Sequence, residues 1–176
     1  KEYPNWGEDG NYDPTIKTVP STDHVSIWNF YPDPDAYNMD EAEYCVERHK
    51  LSKTQMRNLK SRPYFRGESI EECLNMGPQY DKKYWEDDMK DYAIENYTER
   101  YEVLEFWGYV DADILEENGI DIPEELADVE QINCNVWVCQ GHVLRMVLNP
   151  FKPVRIPYYA VPYEHNPYSF FGVGIA

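Results

Sequence analysis

The chain is poor in basic residues: 16 Lys and Arg stand against 33 Asp and Glu, a formal charge of −17 over 176 residues. An acidic surface of this kind repels phosphate, which argues against tight nucleic-acid binding through this segment and against an anionic membrane surface. Long apolar runs are also missing, with no stretch near the roughly 20 residues that a membrane-spanning helix needs. The four cysteines, Cys45, Cys73, Cys134 and Cys139, include no Cys-x-x-Cys pair, so a zinc ribbon or redox dithiol is excluded. They read as buried free thiols of a reducing cytoplasm, with Cys134 and Cys139 on opposite faces of one strand because their offset is odd.

Recognisable catalytic and ligand-binding patterns are absent too. His24, His49, His142 and His165 are scattered, without a His-x-x-x-His pair or a nucleophile partner. His142, beside a turn, is expected to face solvent, and His165 to orient the turn at Asn166-Pro167. Asp111-x-Asp113 with Glu116 and Glu117 fails as a calcium loop, because Leu115 takes the fifth position and Glu116 the glycine position. Gly172-Val173-Gly174 has no third glycine and no following helix, so it is no dinucleotide fingerprint. Acidic pairs such as Glu71-Glu72, Asp87-Asp88, Glu116-Glu117 and Glu124-Glu125 read as solvated faces. The expectation is a protein that is not an enzyme, with no cofactor and no metal.

What is present is material for a core: 42% hydrophobic and 15% aromatic residues, which argues against disorder. Residues 1–24 read as an irregular lead-in rich in Pro, Gly, Asp and Asn, and 25–176 as one domain. Val25–Tyr31 reads as a strand stopped by Pro32 and Pro34, and Tyr44–Leu51 as a second. Ser52 is placed to cap a helix over Lys53–Lys60, and Glu68–Asn75 forms another that ends near Gly77-Pro78. Tyr80–Asn96 has helical spacing. Tyr101–Val110 alternates, with Val103, Glu105 and Trp107 on one side and Leu104, Phe106 and Gly108 on the other. A short helix and a turn at Pro123 fall within Asp111–Glu130. Cys134–Cys139 and His142–Leu148 flank Gln140-Gly141 as a β-hairpin, Gly141 supplying the positive φ. A further strand is expected at Ile156–Val161, after the Asn149-Pro150 corner. These elements sum to an α+β domain with an antiparallel or mixed sheet and several short helices.

Several of these segments carry a resemblance. Tyr31-Pro32-Asp33-Pro34-Asp35-Ala36, Glu43-Tyr44-Cys45-Val46-Glu47-Arg48 and Leu51-Ser52-Lys53-Thr54-Gln55-Met56 come first. Tyr101-Glu102-Val103-Leu104-Glu105-Phe106-Trp107-Gly108, Asn149-Pro150, Ile156-Pro157-Tyr158 and Ser169-Phe170-Phe171-Gly172-Val173-Gly174 follow in register. In this order, over residues 25–174, they resemble the portal (head–tail connector) proteins of tailed bacteriophages, of the podophage-like group. Lys1 in place of an initiator Met is in keeping with a piece of a longer chain, and the resemblance places that piece in the wing region.

The resemblance implies a structural subunit of a ring, of twelve copies, at one capsid vertex of the virion, assembled in the host cytoplasm. Double-stranded DNA would pass the ring channel during packaging and ejection without sequence-specific binding. Capsid or scaffolding protein, terminase and tail adaptors would dock through the full-length chain. It also marks Tyr158, Tyr168, Phe170 and Phe171 as candidates for the subunit interface. The acid is concentrated in residues 81–130, with 18 acidic against four basic side chains, whereas 131–176 holds Glu164 against Arg145, Lys152 and Arg155. The first stretch is therefore expected on a solvent face and the second in the core or interface. An alternative of another class is a carbohydrate-binding or carbohydrate-hydrolysing domain with an acidic aromatic cleft.

Overall fold

A computed structural model describes residues 2–3, 15–16, 21–80, 83, 99–151 and 153–172. The helix expected over Tyr80–Asn96 and the end of the Gly172-Val173-Gly174 run lie outside these residues, as does most of the 1–24 segment. Two short strands do fall in that segment: β1 (Glu2–Tyr3) and β2 (Thr15–Ile16) pair antiparallel, so the lead-in is not wholly irregular.

The centre of the fold is a five-stranded meander of β3 (Phe30–Pro32), β4 (Cys45–Leu51), β5 (Tyr101–Asp111), β6 (Gln131–Cys139) and β7 (His142–Leu148). Neighbours in sequence are neighbours in space, and every pairing is antiparallel. With the helices below, this is the α+β architecture. The acidic stretch is not uniformly a solvent face, because β5 falls within it and is the central strand. Tyr101, Val103 and Trp107 of β5 are buried.

Local chemistry explains most of the connections. Ser52 starts α1 (Lys53–Leu59) with a capping box: Gln55 N donates to Ser52 Oγ at 3.2 Å, and Ser52 N donates to Gln55 Oε1 at 2.8 Å. In α2 (Gly67–Met76), Ile70, Cys73 and Leu74 make one buried stripe at three- and four-residue spacing. The helix stops at Gly77, with φ 85°. Gln140 and Gly141 both adopt positive φ, 51° and 82°, as a two-residue turn matching the strand twist requires. A β-bulge in β7 makes Leu144 an extra residue between the pairs Trp137↔Arg145 and Val138↔Val143. At the first corner Asp33 is buried, and its carboxylate accepts from Asp35 N at 3.0 Å and Glu43 N at 3.1 Å. That ties β3 to the start of β4.

Two expected strands change. In place of a strand over Val25–Tyr31, Ile27–Asn29 forms a 3-10 turn, and pairing is confined to Phe30–Pro32. Ile156–Val161 is not a strand. Pro157 and Pro162 remove ladder donors, and the segment runs as an arm. The corner before it is knotted by Asn149, whose side-chain amide donates to Asn133 Oδ1, Val154 O and Arg155 O at 2.8–2.9 Å.

The sheet is covered on both faces. On one face α1 and α2 bury Met56, Leu59, Ile70, Cys73 and Leu74 against Tyr101, Val103, Trp137, Cys139 and Leu144. At the other end of that face, Phe30, Ala36, Ala42, Cys45, Trp107 and Ile156 form a second cluster, onto which Tyr158 and Phe170 pack. On the opposite face α3 (Ala112–Glu117) sets Leu115 against Ile132, Cys134, Val136 and Met146. Cys134 and Cys139 thus lie in clusters on opposite faces, as their spacing requires, and all four thiols are buried and free.

Candidate functional site

Between the two apolar clusters of the first face lies a polar row that the register brings together. Phe30 pairs with Glu47, Glu47 with Glu105, Glu105 with Trp137 and Trp137 with Arg145, one residue from each of the five strands. His49, two residues beyond Glu47, points to the same face because side chains alternate along a strand.

The geometry is closely interlocked. His49 Nε2 lies 2.9 Å from Glu105 Oε2, and His49 Nδ1 lies 3.6 Å from Glu47 Oε1. The imidazole stacks on Trp137 with centroids 4.7 Å apart and planes 7° from parallel. The other oxygen of each carboxylate is held from outside. Trp107 Nε1 and Asn135 Nδ2 each donate to Glu105 Oε1 at 2.9 Å, and the Tyr158 hydroxyl donates to Glu47 Oε2 at 2.6 Å. Arg145 completes the row by donating to Asn135 Oδ1 at 2.7 Å. The side chains of His49, Glu47 and Glu105 are 22%, 17% and 12% exposed, so the group is shielded but open to solvent.

The electrostatics follow from this packing. Burial raises the Glu105 pKa, but the His49 bond and charge and the Trp107 and Asn135 donors outweigh it, and the carboxyl sits below its ordinary value. Burial, with the charges of Glu105 and Glu47, pushes the Cys45 thiol up to about 12. The Tyr158 hydroxyl is raised by burial first, then by Glu105 and its bond to Glu47. Cys134 and Cys139 are also pushed to about 12, chiefly by burial, so none of these three behaves as a reactive thiolate.

The residues marked as interface candidates divide into two pairs. Tyr158 and Phe170 pack inward on Phe30, with ring centroids at 5.2 and 6.1 Å. Phe171 stands edge-on to Phe170 and is partly exposed, while Tyr168 projects outward. His142 is partly shielded and pairs with Glu72 at 2.9 Å. At the turn beyond His165, Asn166 does the orienting, its Oδ1 accepting from Tyr168 N at 3.0 Å. Asp111 spends one carboxylate oxygen on Gln131 Nε2 at 2.8 Å.

Sequence reasoning missed the grouping of Glu47, His49 and Glu105, which are 56 residues apart at the His49–Glu105 contact. A signal was there: Glu105 shares its parity with Val103 and Trp107, and a carboxylate on a buried strand face needs partners. On the opposite face an open groove is lined by Glu43, Tyr44, Phe106, Tyr109, Gln131 and Arg155, with Tyr44 stacked on Phe106 at 6.0 Å. No helix among the described residues is long and apolar enough to cross a membrane. No protein-family model matches the sequence, and no curated protein is significantly similar to it.

Proposed function

We propose that this chain is a wing segment of a portal subunit, a structural component of a ring at the capsid vertex through which double-stranded DNA is packaged and ejected. The reading rests on the resemblance of the ordered landmarks. The observation that best supports it is the arm at residues 156–172. Ile156, Tyr158 and Phe170 anchor that arm to the sheet, yet Tyr159, Val161, Tyr163 and Tyr168 are 83%, 90%, 78% and 86% exposed. An arm anchored by alternate apolar residues and exposing large ones in between suits a neighbouring subunit as its cover.

A closed ring needs heterologous contacts, in which different faces of each copy meet. An acidic protein must form them through apolar and hydrogen-bonded contacts, because like charge opposes closure. The arm, low in acid and rich in Tyr, meets that need. In this reading the wider acidic surface lets DNA slide without capture, and terminase, capsid and tail partners engage other parts of the full-length subunit. The carbohydrate alternative has less support, since the groove beside Tyr44 and Phe106 brings in one carboxylate, Glu43, where hydrolysis calls for two.

Native mass spectrometry of the full-length protein tests the proposal. A closed oligomer of about twelve copies is expected, weakened by Tyr159→Ser with Tyr168→Ser. A monomer or dimer at micromolar concentration would count against it.

A further inference from the structure

We propose that Glu47, His49 and Glu105 bind one divalent transition-metal ion of the zinc type on the sheet face between the two apolar clusters. One ligand atom from each residue lies within 4.8 Å of the others. The 2.9 Å between His49 Nε2 and Glu105 Oε2 matches two ligands about 2.1 Å from a common ion at roughly a right angle. Two such ligands span at most about 4.2 Å, and Glu47 Oε1 lies against Nδ1, at 3.6 Å, so the Glu47 side chain turns toward Nε2 on binding.

Three features of the surroundings favour an ion over a simple ion pair. Glu47 and Glu105 are direct cross-strand partners, and like charges in that position repel. A protonated imidazole neutralises one of them, whereas a divalent ion neutralises both. The outward oxygens of both carboxylates are held by neutral donors, from Trp107, Asn135 and Tyr158. Outer contacts of this kind orient ligating carboxylates in metal sites. The ring of His49 is fixed flat on Trp137, which sets the direction of its nitrogen lone pair.

The donor set selects the metal. One imidazole nitrogen with two carboxylates suits zinc, manganese or iron, and disfavours calcium and magnesium, which take all-oxygen shells. Three protein ligands leave at least one position for water, and the partial exposure of the three side chains gives the ion a route from solvent. The inference does not depend on the proposed portal function.

The test uses the full-length protein stripped with chelator and titrated with zinc chloride, bound metal being counted by elemental analysis. Wild type is expected to bind one more ion per chain than His49→Gln, and Glu47→Gln to weaken that site at least tenfold. At a hundredfold excess over the dissociation constant, zinc should raise the wild-type melting temperature by roughly 5–10 °C, and should not do so in His49→Gln. Cobalt in place of zinc should give visible bands without thiolate charge transfer, since Cys45 is outside the ligand set. Equal ion counts in wild type and His49→Gln, no binding in wild type, or thiolate bands would each overturn the proposal. Circular dichroism establishes that the variants fold. If His49→Gln does not, Glu47→Gln decides the matter, and unchanged affinity there refutes the site.

Discussion

Replacing Glu105 with Ala should be among the most damaging single changes to this fold. The carboxylate accepts from Trp107 Nε1 and Asn135 Nδ2 and faces His49 Nε2, each at 2.9 Å, from a side chain only 12% exposed. Hydrogen bonds to a charged group are worth about 1.5–3 kcal/mol each, and stranding a buried partner costs about 3–5 kcal/mol. The three contacts share one acceptor and are not additive, so the expected loss is about 3–5 kcal/mol. Glu105→Gln keeps an acceptor oxygen for Trp107 and Asn135 but turns an amide toward His49, and should lose about 1–2 kcal/mol. The two variants should also differ from wild type in pH dependence. Because folding lowers the Glu105 pKa from 4.5, its stabilising contribution is complete above that value and is lost as pH falls through the lower folded value. Urea denaturation of chelator-treated protein at pH 7 and again near pH 3.5 measures both effects. The gap between wild type and Glu105→Gln should narrow at the acid end. A loss below 1 kcal/mol for Glu105→Ala at pH 7, or a gap that widens in acid, would refute the reasoning.

Three further changes test other parts of the fold. Gly108→Ala would place a Cβ 2.6 Å from both Tyr44 Cβ and the Phe106 ring, so the stacked pair must move, and denaturation should show a loss of about 1–3 kcal/mol. Ser52→Ala removes the bond from Gln55 N to Ser52 Oγ while leaving the Ser52 backbone N–H its bond to Gln55, and should cost about 1 kcal/mol, with hydrogen exchange faster in the first turn of α1. A thiol reagent at neutral pH should leave Cys45, Cys73, Cys134 and Cys139 unmodified in the folded state and label all four in denaturant. Prompt labelling of any one would contradict the described burial.

Where the fold was legible, a short-range rule carried the information. Alternation marked β5, the Gln140-Gly141 pair marked the hairpin, and Ser52 marked the start of α1. The errors came where tertiary contacts decide. Val25–Tyr31 has strand composition, but only Phe30–Pro32 finds a partner, on Glu47, Val46 and Cys45, and Ile27–Asn29 turns instead. Ile156–Val161 has β-branched and aromatic residues, yet its prolines deny it a ladder, and it is held by Tyr158 on Glu47 and by ring contacts on Phe30. The polar row needed tertiary contacts as well, because the parity of Glu105 signals a shielded carboxylate without naming its partners. No local spacing links Glu47 and His49 to Glu105, and only the antiparallel register sets them side by side. Acid content also misled, because β5 lies inside the most acidic stretch while its alternate residues fill the core.

The proposed portal assignment is the central claim, and electron microscopy of the full-length protein, purified by itself, tests it most directly. Rings with a central hole and about twelvefold symmetry are predicted. A monodisperse population of single subunits or dimers at micromolar concentration would contradict the account.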